Sequence, residues 1–154
     1  MSKRAMQVRI WCGEHVVVSS YSGVLCADGV RKDRELIGSD RRFDPDLARL
    51  IDARGIEEIA LSSREIQMMG QQAAFTAAAP RAFLVDSDSV YGMARAWTAW
   101  HEHSRPNTRV FRDELQAIDW LGLPPDYLRY LAEPDHDVSI EAPLAEASRH
   151  RSRE

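Results

Sequence analysis

Arg81-Ala-Phe-Leu-Val-Asp86 opens the stretch that decides the fold. Ser87-Asp88-Ser89 follows it, then a run carrying Val90, Tyr91, Gly92, Met93, Ala94 and Arg95. The stretch closes on Val110-Phe-Arg-Asp-Glu-Leu-Gln-Ala-Ile-Asp-Trp-Leu121. An apolar run, a capped helix, a second apolar run and a second capped helix are the grammar of an α/β sheet whose strands are joined by crossovers. Asp86-Ser87-Asp88-Ser89 supplies the cap and sets acids against the positive end of its helix. Val90, Ala94, Trp97 and His101 then recur on one helical face, which marks the core side. Pro106-Asn107 turns the chain into Thr108–Phe111, the last strand expected. Asp113 with Gln116 starts a short helix predicted to bury Leu115, Ile118 and Leu121 before Gly122 stops it.

Upstream, Gln7–Trp11 and His15–Ser20 are rich in β-branched residues and flank Gly13-Glu14, which predicts an N-terminal β-hairpin. Cys26–Gly38 has a thin apolar stripe, Val30 and Ile37, among many charges, and reads as a surface helix. Phe43-Asp-Pro45 ends it, because the residue before proline avoids the helical basin. Leu47–Ala53 reads as a third strand, closed by Arg54-Gly55. Ser62 and Glu65 have capping-box spacing, with Leu61 placed to staple onto Ile66. That helix is expected to bury Ile66, Met69, Ala73 and Ala77 and to stop at Pro80. The apolar Arg81–Asp86 is predicted to lie centrally in the sheet. The resulting expectation is one α/β domain over residues 7–122. Residues 123–154 form a short amphipathic extension and a polar tail with too few apolar anchors to order itself.

Composition narrows the function classes. A net charge of −4 argues against a general grip on nucleic acid, which wants a concentrated basic face. No apolar run approaches the length of a membrane-spanning helix, and Met1-Ser-Lys-Arg-Ala-Met6 leads into no apolar signal region. A cytoplasmic protein with no integral membrane association is expected. Cys12 and Cys26, the two cysteines, form no disulfide framework and have no motif partners.

The order Phe43-Asp-Pro, Leu50-Ile-Asp-Ala-Arg-Gly55, Leu61-Ser-Ser, Arg81-Ala-Phe-Leu-Val, Tyr91-Gly-Met-Ala-Arg95 and Val110-Phe-Arg-Asp resembles small bacterial proteins with a SpoIIAA-like, or STAS/SEC14-type, fold. The resemblance extends from about Gln7 to Gly122. It implies a mixed, largely parallel sheet of about five strands with flanking helices, in agreement with the residue-level reading. For function it implies a non-catalytic interaction or regulatory domain, since relatives in the wider fold include anti-sigma factor antagonists. The SEC14-type relatives imply a rival: a binder of an apolar small molecule or lipid, with Met68, Met69, Trp97 and Trp100 as its aromatic and sulfur-bearing set. A large continuous apolar cavity would favour that rival.

Antagonists of the wider family carry a regulatory serine at a helix start, and Ser62 and Ser63 hold the comparable place. Here Asp52 is separated from Ser62 by Ala53–Leu61 and no glycine follows the serines. A plain N-cap therefore competes with a phosphosite. Trp97 lies on the core stripe and Trp100 at its margin. Trp100, with Tyr91 on the same helix, is the candidate interface or ligand contact and the basis for expecting a homodimer; the bland alternative packs both tryptophans on the sheet. His101-Glu102-His103 does not converge on a metal, because helical residues two apart diverge. No pair of acids is spaced for general acid–base work and no glycine-rich loop cradles phosphate. The expectation is no enzyme, no cofactor, no metal and no nucleic acid, with a protein partner left unidentified.

Overall fold

A computed structural model describes residues 4–69, 75–124, 127 and 133–143. Its elements run β1 (Ala5–Cys12), β2 (Val16–Cys26), α1 (Ala27–Ser39), β3 (Ala48–Ala60), α2 (Ser63–Met69), β4 (Arg81–Leu84), α3 (Asp88–Trp100), β5 (Thr108–Phe111), α4 (Glu114–Leu121) and β6 (His136–Glu141). The strands form a six-stranded sheet in the order β5-β4-β3-β2-β1-β6. Three pairings, β2 to β3, β3 to β4 and β4 to β5, are parallel, while β1 pairs antiparallel with β2 and β6. The sheet is thus mixed and largely parallel, and the N-terminal hairpin is present.

Strand period two divides the interior into two layers. One face of the sheet, with Met6, Val8, Ile10, Val17, Tyr21 and Ile51, packs under α1 and α3 through Val30, Ile37, Val90 and Ala94. The other face, with Val16, Val18, Leu50, Ala82 and Leu84, is closed by Ala117 and Ile118 of α4 together with Leu123 and Tyr127. The helix ends are built as local chemistry dictates. Ser87 accepts from the Val90 amide, Asp113 accepts from the Leu115 amide, and Gly122 ends α4 in the left-handed region at φ 75°.

Several expectations are corrected. β3 does not close at Arg54-Gly55 but continues to Ala60 beside β2. Gly55 is needed there for closeness, not for a turn: a Cβ would come within 2.7 Å of the Ser22 Cβ. β2 itself bends at Gly23, whose φ of 79° disfavours any side chain. The Cys26–Gly38 helix is no mere surface element, because Val30, Asp33 and Ile37 are buried against the sheet. In α2, Ile66 and Met69 are half-buried, Ala77 lies exposed beyond the helix, and Ala73 falls outside the described residues. Arg81–Leu84 lies one strand in from the edge, not at the centre. Leu115 is exposed, since Ala117 and Ile118 hold the buried side of α4.

The largest correction concerns the C-terminal region. Thr108–Phe111 is not the last strand, and the fold does not end at Gly122. His136–Glu141 adds to β1 as an edge strand, with Met6 opposite Ile140 and Val8 opposite Val138, and Ala142 is buried beyond it. His136, Val138 and Ile140 share the inward face and only two of them are apolar, so the segment reads as polar apart from its partner. Residues 144–154 and most of the expected amphipathic extension lie outside the described residues. Among the described residues no helix is long and apolar enough to cross a membrane.

Candidate functional site

The face under α1 and α3 carries an unusual polar inset. Ser19 and Tyr21 of β2, Arg49 of β3 and Arg81 of β4 point to the same side of neighbouring strands, and Asp33 descends onto them from α1. The Asp33 carboxylate accepts from Ser19 Oγ at 2.6 Å through Oδ1, and from Tyr21 Oη at 2.6 Å and Arg49 Nη2 at 2.5 Å through Oδ2. Arg49 Nη1 donates to Ser19 Oγ at 3.2 Å. Asp33 is fully buried and the Arg49 side chain is 7% exposed. Burial opposes the Arg49 charge, but Asp33 and Tyr21 outweigh it and hold its pKa above the ordinary value. Burial, and then the charge of Asp33, pushes the Tyr21 phenol well up, so it stays a neutral donor.

A pocket of about 70 Å³ lies above this inset, with Met69, Phe75, Phe83, Met93 and Trp97 among its lining residues. Arg81 belongs to the same wall and is 3% exposed. Its guanidinium lies 5.3 Å from the Trp97 ring centre and 6.0 Å from that of Phe75, while Arg49 lies 5.1 Å from the Phe75 ring. Arg81 Nη1 is buried without a hydrogen-bond partner, and among the described residues no carboxylate forms an ion pair with Arg81. Burial first, and then the charges of Arg49 and Arg105, pushes its pKa down to about 9, which leaves it charged at neutral pH. Cation–π contacts return about 0.5–2 kcal/mol each. Burying an ion costs several kcal/mol, so the ring contacts alone do not offset it.

The structure separates the residues that sequence reasoning grouped. Trp97 and Met69 line the pocket, whereas Met68 and Trp100 are exposed at 43% and 44%. Tyr91 lies outside the pocket, half-buried, with the Arg112 guanidinium 4.5 Å from its ring centre. Ser62 and Ser63 are exposed at the start of α2. The capping box is closed there: the Glu65 amide donates to Ser62 Oγ at 3.1 Å and the Ser62 amide donates to Glu65 Oε1 at 2.9 Å. His101 is buried against Trp97, ring centres 4.7 Å apart, and His103 is exposed.

A second cluster joins distant parts of the chain. Donor atoms of Cys12, Asp40 and His136 lie within 4.8 Å of one another. Asp40 Oδ2 contacts His136 Nε2 at 2.8 Å and Arg42 Nη2 at 2.8 Å, while Arg42 Nη1 reaches Asp135 at 2.9 Å. The Arg42 hydrogen bonds hold the Asp40 carboxyl far below the usual carboxylate range. Burial, and then the Asp40 hydrogen bond, pushes the Cys12 thiol up to about 12. A metal would need a thiolate and carboxylate oxygens not already engaged by a cation, so this donor set fits a polar clasp holding β6 and the end of α1 to β1. Cys12 and Cys26 are both buried free thiols.

Sequence reasoning missed Asp33, Arg49 and Arg81 because each looked ordinary alone. The signal available was a charged residue at an inward strand position, as in Arg49-Leu-Ile51 and Arg81-Ala-Phe83.

Neither a protein-family profile nor a curated protein matches the chain. Among solved structures the chain is similar to an uncharacterized protein of the DUF3478 family with a SpoIIAA-like fold from Shewanella loihica PV-4. The identity is 17% and the TM-score 0.54, over 79% of this chain and 98% of that one. The fold is therefore SpoIIAA-like, and at this identity the likeness speaks to the fold alone.

Proposed function

We propose that this SpoIIAA-like domain is a non-catalytic binding domain that takes a small, largely apolar molecule into the pocket between the sheet and α3. The observation that carries this reading is the lining: Met69, Phe75, Phe83, Met93 and Trp97 surround space that the interior leaves unfilled. At about 10–15 Å³ for each water, the space holds roughly five waters, which suits a molecule of a few heavy atoms and not a long-chain lipid. Among the described residues the wall offers no poised base. Both Asp33 oxygens are engaged and Tyr21 is committed to Asp33, which supports binding over catalysis.

Methionine-methyl NMR tests it with a panel of small probes: benzene, butanol, butyramide and butyrate. At least one probe should shift Met69 and Met93 saturably, leaving the exposed Met68 unmoved. Silence of both methyls at millimolar concentrations of every probe would end the reading.

Trp100, 44% exposed at the end of α3, supports a second reading, the interaction role. Sedimentation equilibrium should then find a dimer that Trp100→Glu dissolves. A wild type that is monomeric throughout the micromolar range would reject it.

A further inference from the structure

We propose that Arg81 is an anion receptor inside the pocket, so that the ligand class is a small monocarboxylate whose apolar body lies against Met69, Met93 and Trp97. This deepens the binding reading and rests on it.

The argument begins with charge. Two guanidinium groups, those of Arg49 and Arg81, stand side by side on β3 and β4 and both line the pocket. Asp33 answers Arg49 at 2.5 Å and has no oxygen left over. Arg34, also at the wall, has a partner of its own. Arg81 is left with the unanswered charge, at 3% exposure and with Nη1 unpartnered among the described residues. A buried group of this kind is strongly destabilising unless something answers it, and natural chains break the rules of good packing chiefly at functional sites. The group it lacks is an anion.

Geometry selects the anion. The Arg81 guanidinium lies near the Trp97 and Phe75 rings, and its planar fork matches a planar carboxylate. One unanswered charge suits a monoanion, whereas a phosphate dianion would demand more donors than this wall offers. The rest of the lining is mostly apolar, so the carboxylate carries a short hydrocarbon body.

Butyrate and butyramide separate this inference from the reading beneath it, because they match in size and shape and differ in charge. Both are titrated at neutral pH and constant ionic strength into the wild type and Arg81→Met, read at the Met69 and Met93 methyls. The wild type is expected to bind butyrate at least tenfold more tightly than butyramide. Arg81→Met should lose that preference, binding butyrate no more tightly than butyramide. Equal affinities in the wild type would overturn the anion receptor and leave the pocket standing. Silence towards both probes would overturn the anion receptor, and would overturn the pocket as well only if benzene and butanol are also silent. Should Arg81→Met fail to fold, the wild-type ratio of butyrate to butyramide decides the question alone.

Discussion

On the α4 side of the sheet, Val16, Val18, Leu50, Ala82 and Leu84 meet Ala117 and Ile118 in a layer of ordinary apolar packing. One residue along the same strands, on the α1 and α3 side, stand Val17, Ser19, Arg49, Arg81 and Phe83. There a carboxylate is buried, one arginine is answered, another is not, and space remains. The same strands supply both faces, so neither strand propensity nor topology explains the difference. One face is organised for stability, while the other holds a buried guanidinium that the proposed ligand would answer.

The sharpest way to break the comparison is Asp33→Ala. It strands Arg49 in the interior and should cost about 3–5 kcal/mol in denaturant melts. A cost under about 1 kcal/mol would mean that the inset is not buried as described. Leu84→Ala on the opposite face removes packing only and should cost about 2–5 kcal/mol. Unlike Asp33→Ala, it should leave the probe responses of Met69 and Met93 unchanged.

How much of this contrast was legible in the sequence depends on distance along the chain. The Ser62–Glu65 box, the Ser87 and Asp113 caps and the Gly122 stop are local chemistry, and each forms where its residues predict. The Val90, Ala94, Trp97 and His101 stripe is buried throughout, because helical period is also local. β6 was not legible: its polar alternation gains meaning only beside β1, far away in sequence. The second half of β3 is not legible because Arg54-Gly-Ile-Glu-Glu58 resembles a turn and a polar loop, and only the close approach to Ser22 explains its glycine. The Asp33–Arg49 pair joins an apparently exposed helix position to a strand start. Arg81, at the head of an apolar strand, has the sequence position of a boundary residue, and only the fold buries it.

Smaller effects sharpen the picture. Ser62→Ala removes a closed cap on an exposed helix and should cost about 0.5–2 kcal/mol in denaturant melts. A change indistinguishable from zero would place the start of α2 elsewhere. Leu115→Ala touches a side chain 64% exposed and should stay within about 0.5 kcal/mol of the wild type. A larger loss would show that α4 buries a face of its own that the sheet contact does not account for.

The most direct test of the central claim is a set of four thermal melts: wild type and Arg81→Met, each with and without saturating butyrate. Replacing an unanswered buried cation by an apolar chain of similar length should stabilise the ligand-free protein, by about 1 kcal/mol or more. Butyrate should raise the melting temperature of the wild type by clearly more than that of Arg81→Met. A ligand at a hundredfold its dissociation constant adds about 2.7 kcal/mol, well within the reach of such melts. An Arg81→Met protein that melts below the wild type, with butyrate without effect on either, would contradict the account and make Arg81 a structural residue.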